Sequence, residues 1–146
     1  MGNQEMVDLL IVMFCLFQLG DKFLFFDKGG SYSMLDVFTL RRIESLMNGY
    51  VHEKVPAQLR TMVKLTYEMK GNELILTEER PGLQRYQWDR MPIARFYWEG
   101  DQWQVFASDD CSSWNPVEVI VPCSDFEDVL EQVERDESGV FWRERD

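Results

Sequence analysis

The sequence predicts an α+β domain: an antiparallel meander sheet of four to five strands, with an N-terminal and a C-terminal helix packed on one face. Three observations carry that expectation. Residues 61–69 and 73–80 alternate apolar and polar side chains across a Lys70-Gly71-Asn72 break, the pattern of a half-buried hairpin. Residues 93–99 and 102–107 repeat it across Gly100-Asp101. Apolar residues at helical spacing then flank the two hairpins, and strands bracketed by helices suit an α+β layer arrangement.

The chain of 146 residues is of single-domain size and long enough to bury one core. Residues 1–33 read as an apolar N-terminal extension, and 36–142 as the single α+β domain. Within the extension, residues 9–17 (LLIVMFCLF) form a continuous apolar run. A bilayer needs about twenty such residues, so no membrane span is expected. A secretory signal needs a positive n-region, whereas Glu5 and Asp8 are the only charges near the start. A buried helix or strand, an interaction segment, and a start placed too far upstream, with Met34 as the beginning, all remain open for this stretch.

Asp36 is placed to cap a helix over residues 37–50, where Val37, Leu40, Ile43, Leu46 or Met47, and Tyr50 recur on one stripe. Gly49 weakens its end, Pro56 forbids its continuation, and His52 reads as a surface or capping residue. The sheet is expected to begin near Arg60. Its first strand puts Val63, Leu65, Tyr67 and Met69 on one face, and Lys64, Thr66 and Glu68 on the other. The second strand ends at Pro81, which cannot donate to a ladder. Residues 81–92 read as a loop punctuated by Pro81, Gly82 and Pro92, carrying Tyr86 and Trp88 among charges. Trp98 and Trp103 flank the second hairpin turn and read as a cross-strand aromatic pair. A short fifth strand includes Trp114 or runs over residues 117–121 (VEVIV), closed by Pro122. Ser124 and Glu127 form a capping box for a last helix with Phe126, Val129, Leu130 and Val133 as its stripe and Gly139 at its end. Val140, Phe141 and Trp142 are expected to fold back as a hydrophobic plug.

Charge and cysteines exclude several functions. Of the net charge of −11, most lies in residues 109–146, where twelve acids face three arginines. Phosphate-backbone binding requires clustered Lys and Arg, so no nucleic acid is expected. Cys15, Cys111 and Cys123 are odd in number and contain no CxxC pair. Neither a disulfide framework nor a zinc site is expected, and a reducing cytoplasm fits. With His52 as the only histidine, a histidine-based triad or multi-histidine metal site has no parts within one chain.

Several ordered segments resemble a known bacterial family. They are Leu40-Arg-Arg-Ile-Glu-Ser-Leu, Arg60 with Leu65-Thr-Tyr67, Leu76-Thr-Glu78-Glu-Arg80-Pro81, Pro92-Ile-Ala94-Arg95-Phe, Trp103, Trp114 and Gly139-Val-Phe141-Trp142. The series resembles the family filed as domain of unknown function 3024 over about residues 36–142. The stretch 109–113 and the apolar run 117–121 depart from its pattern. The resemblance implies a small cytoplasmic bacterial protein and brings no activity with it.

One constellation has the residue types for ligand chemistry. In the second strand, Leu74, Leu76, Glu78 and Arg80 share a face by alternation. Arg60 at the start of the first strand and Arg95 in the third are placed to reach the same end, near Tyr67 and Trp88. Arg60, Glu78, Arg80, Arg95, Tyr67 and Trp88 are therefore the candidate ligand-binding residues, since arginines beside an aromatic wall bind carboxylate or phosphate in bidentate fashion. The same residues also read as cross-strand ion pairs that set register. Arginines lower a neighbouring carboxylate's pKa and leave a poor base, so no catalytic residue, cofactor or metal is assigned. The expected function is non-enzymatic binding of a protein partner or of a second copy as a homo-oligomer. The alternative, which leaves an enzymatic use open, is an anion- or small-molecule-binding protein built on the Arg/Glu cluster.

Overall fold

The computed structural model describes residues 34–109 and 113–143, within a compact unit that begins at Met34. The extension at 1–33, and with it Cys15, lies outside the described residues, as does Cys111. Helix α1 (Val37–Lys54) leads through a 3-10 turn (Ala57–Leu59) into five strands, β1 (Lys64–Lys70), β2 (Glu73–Pro81), β3 (Trp88–Glu99), β4 (Gln102–Ser108) and β5 (Trp114–Pro116), and helix α2 (Phe126–Arg135) follows. The strands lie in sequence order in one sheet, each antiparallel to the next. This is the expected α+β meander.

Local chemistry explains most boundaries. Asp36 caps α1 by accepting from the backbone N–H groups of Phe38 and Thr39. The helix runs through Gly49 to Lys54, past the expected end at residue 50, because Met47 lies fully buried beneath that turn and packing outweighs the roughly 1 kcal/mol propensity cost of glycine. The sheet starts at Lys64 rather than near Arg60, since residues 56–63 are held by turn hydrogen bonds such as Val63 N–H to Leu59 O at 2.9 Å. Gly100 and Asp101 both take φ of 60°, the backbone of a type I′ hairpin turn.

Three further expectations are corrected. The expected loop 81–92 shrinks to residues 82–87, because β3 begins at Trp88 and Pro92 sits inside it. Leu76 pairs with Ala94 while Thr77 pairs with Pro92, so Ile93 is an extra residue and the register shifts. The proline is tolerated there because β4 pairs with β3 only as far as Ala94: its missing donor faces no strand on that side. Of the two expected places for the fifth strand, the one including Trp114 is used, and the run 117–121 is not a strand. Ile120 alone is buried, Val119 and Val121 are exposed, and the Ile120 N–H turns back to Val117 O. At α2, Asp125 rather than Ser124 is the cap, accepting from Glu127 N–H at 3.0 Å.

The C-terminal end of α2 is also set by an aspartate. Asp136, not Gly139, closes the helix in the left-handed region at φ 44°. Its carboxylate accepts from the N–H groups of Val140, Phe141 and Trp142. These bonds fold the tail back so that Phe141 is 2% exposed, and the Trp142 indole donates to Val133 O. The expected plug is present, with an aspartate as its fastening.

The core lies between the helices and one face of the sheet. Leu65, Leu74, Leu76, Ala94, Phe96, Trp103, Val105 and Ala107 form its strand side, and Ile43, Met47, Phe126, Val129, Leu130 and Val133 its helix side. Phe126 is the central contact, with its ring 5.1 Å from Phe96 and 5.0 Å from Trp103. Trp98 and Trp103 pair across β3 and β4 at 5.3 Å, as expected. Burying side chains of this size contributes about 1.5–3 kcal/mol each, so this layer carries most of the domain's stability.

Candidate functional site

The six residues singled out in the sequence do not form one cluster. The register places Glu78 opposite Leu65 and Leu76 opposite Tyr67, so Glu78, Arg80 and Tyr67 belong to the helix-facing side of the sheet. Arg95 pairs with Ile75, and Trp88 with Pro81, which puts both on the opposite side. Arg60 stands before the sheet, in the linker after α1.

Each guanidinium has local partners. Arg80 Nε donates to Glu78 Oε1 at 2.6 Å, the one pairing of the expected cluster that forms. Arg95 instead grips Glu73, through Nε at 2.9 Å and Nη2 at 2.7 Å, with the Tyr97 and Phe106 rings 5.1 and 5.2 Å from its guanidinium carbon. Arg60 donates to the carbonyls of Val55 and His52 at the end of α1, where the helix leaves acceptors unsatisfied and favours positive charge. The Tyr67 hydroxyl donates to Asn48 Oδ1 at 2.8 Å and lies 3.2 Å from Glu44 O, fastening β1 to α1. Burial pushes its pKa up, with the Glu44 carboxylate adding to the effect. Trp88 carries the Lys64 ammonium 3.7 Å from its ring. The cross-strand and capping roles account for these contacts.

A polar cluster between the helices was not anticipated. Glu134 of α2 accepts from the Tyr50 hydroxyl and from Lys54 Nζ, both at 2.6 Å, and Lys54 also lies 4.4 Å from the Trp142 ring. Burial, then the bond to Glu134 and its charge, drive the Tyr50 pKa far above its ordinary value of 10.0. At the other ends of the helices Arg42 meets Glu127 at 2.8 Å, which raises the arginine's pKa. Both pairs join like end to like end, so the helices run side by side in the same direction. A groove of about 310 Å³, lined by Thr39, Leu46, Trp103 and Ser124 among others, lies at the Arg42–Glu127 end.

The site that sequence reasoning approached but did not resolve is the β2–β3 hairpin. Beyond Ala94 no β4 residue pairs with β3, and beyond Lys64 no β1 residue pairs with β2, so the hairpin continues outward as a two-stranded arm. Ion pairs brace it: Arg80 with Glu78 at 2.6 Å and Arg90 with Glu79 at 3.1 Å. Gly82 begins its tip, where a Cβ would come within 2.8 Å of Asp89 Oδ1, and its N–H donates to Gln87 O. At the tip, Leu83 is 106% and Tyr86 93% exposed. Tyr86 also takes φ 67°, a region where a bulky side chain is an outlier costing about 1–3 kcal/mol. Tyr86 was legible as one of two aromatics among charges. Leu83 had a weaker signal, a single large aliphatic in an otherwise polar turn.

Among the described residues, no group of three or more His, Cys, Asp or Glu side chains is arranged to hold a metal ion, and no helix is long and apolar enough to cross a membrane. No curated protein and no solved structure matches the chain. A family model does match, over residues 35–143, close to the span 36–142 that carried the resemblance. The chain belongs to the family described as Domain of unknown function (DUF3024).

Proposed function

We propose that this protein is a non-enzymatic binding domain of the bacterial cytoplasm that engages a protein, either a different chain or a second copy, through the tip of the β2–β3 arm. One observation carries the reading. Leu83 and Tyr86 project from a braced hairpin with essentially their whole side chains in solvent, and Tyr86 does so at a left-handed φ of 67°. A lone exposed leucine is ordinary. A leucine and a strained tyrosine together on a protrusion are the kind of anchor that fills a pocket on a partner, and tyrosine is enriched among residues that dominate binding energy.

The alternative, anion or small-molecule binding through the arginines, has less support. Arg80 and Arg95 already donate to carboxylates, and Arg60 to backbone carbonyls. A ligand would have to displace those partners at a cost comparable to what it gained.

Photo-crosslinking tests the proposal. A benzophenone amino acid at position 83 of the full chain is expected to trap a protein adduct in cells, and Tyr86→Ser in the same chain is expected to remove it. Absence of any adduct, together with a thermal shift by one member of an anion series that Arg80→Ala abolishes, would replace this reading with the ligand alternative.

A further inference from the structure

Resting on the reading of the arm as a binding device, we infer that the surface receiving the tip is on a second copy of this chain: an apolar groove at the β4–β5 end of the sheet. The groove measures about 260 Å³ and is lined by Pro116, Val117, Val119 and Val140, with Asp109 and Glu118 contributing acidic side chains. Small-molecule pockets begin at about 300 Å³, so this cavity is better matched to one or two inserted side chains. Its apolar character is unusual for its place. Val119 remains 57% exposed beside it, and the neighbouring Val121 69%, in the run that was one of two expected places for the fifth strand and is not the one used.

Charge matches as well as shape. Arg85 stands between the two tip anchors; its guanidinium carbon is 5.9 Å from the Tyr86 ring, and among the described residues it has no carboxylate within ion-pair distance. Glu118 likewise has no cation within that distance among the described residues, while Asp109 meets Arg143 only at 4.0 Å. A cation between two anchors and an acid beside the groove are complementary, and such pairs fix register more than they add affinity.

Topology then decides the form of the assembly. In the antiparallel meander the end of β2, the start of β3, the end of β4 and the start of β5 lie at one end of the sheet. Tip and groove therefore belong to the same end of the sheet. Two copies related by a two-fold axis can place each tip in the other's groove, which closes the contact as a dimer instead of propagating a fibre. An inserted aromatic hides about 150–250 Å² of its own surface. With the leucine, the groove walls and the two-fold duplication, the contact reaches roughly 1,200 Å², the low end of stable interfaces. A reversible dimer is the expected consequence.

Sedimentation velocity of the full chain, over a concentration series bracketing ~10 μM, tests the assignment. A monomer–dimer equilibrium is expected, and Tyr86→Ser is expected to weaken it at least ~30-fold. Val119→Glu, at an exposed position, should weaken it comparably while the melting temperature holds. Arg85→Glu and Glu118→Arg should each weaken it, and both changes in one chain should recover most of the loss. A dimer indifferent to Tyr86→Ser overturns the inference, and so does a monomer at every concentration. In the monomer case the crosslink at position 83 separates the two readings: an adduct with a different protein leaves the arm as a binding device, and no adduct removes both.

Discussion

The two halves of strand β2 follow the same alternation and end in different physical situations. In the first half Leu74 and Leu76 are fully buried, pressed between neighbouring strands on both sides and the helices above. In the second half, past the Ile93 bulge, Glu78 and Arg80 occupy the same face by alternation, and the strand runs out beyond β4 and then beyond β1. The first half is held by burial; the second by ion pairs, a cation over Trp88 and the hairpin's own ladder. With the arginine of each pair in solvent, these pairs contribute about 1 kcal/mol or less each. Stability and display are thus separated along one strand: the buried half fixes the fold, and the arm is free to carry side chains that folding does not need.

The largest effect that tests this separation is expected in the core. Trp103 is 1% exposed and packs against both Phe126 and Trp98, so Trp103→Ala should cost about 3–5 kcal/mol in urea unfolding. Leu83→Ser, at the fully exposed tip, should change stability by less than ~0.5 kcal/mol. A comparable loss from the tip would break the comparison. The next effect concerns the tail. Asp136→Ala removes the acceptor of three backbone N–H groups that hold Phe141 in place, and about 2 kcal/mol of destabilisation is expected, with faster amide exchange at residues 140–142.

A smaller effect has the opposite sign. Tyr86→Gly relieves a left-handed backbone conformation and is expected to raise stability by up to ~1 kcal/mol while removing the tip's crosslink. A change that stabilises the fold and abolishes contact sharpens the comparison, because it shows strain held for a purpose other than folding. The smallest effect is electrostatic. The Thr39 hydroxyl, then backbone N–H groups, hold the Asp36 carboxyl below its ordinary value of 3.8. Because the folded-state pKa is the lower one, this contribution is present above about pH 3.8 and lost as pH falls through the folded value. The melting-temperature difference between the wild type and Asp36→Ala should therefore close in that acid range.

Sequence periodicity exposed the fold well and the site only in part. Alternation in residues 64–70 and 73–76 placed Leu65, Tyr67, Leu74 and Leu76 on one face correctly, because side-chain direction in a strand is local geometry. The expected gathering of Arg60, Glu78, Arg80 and Arg95 failed for two non-local reasons. Arg60 was captured by carbonyls of a helix that runs farther than its glycine suggested. Arg95 lies on the other side of the sheet, where Glu73 is its neighbour. Proline and glycine at 81, 82 and 92 read as a loop, since their intrinsic preferences are turn preferences. The bulge that admits Pro92 into a strand depends on where β4 stops.

By itself, then, the sequence determined what each segment's own chemistry can settle: the order of helices and strands, the Asp36 cap, the turns at Gly71 and Gly100, the faces of β1 and β2, and the family. The tertiary structure alone decided which partner each charge found, that residues 117–119 would line a groove while the fifth strand formed at Trp114, and that the β2–β3 hairpin would outrun its neighbours. Those outcomes depend on the lengths of elements distant in sequence and on where each one stops. No local pattern records that information.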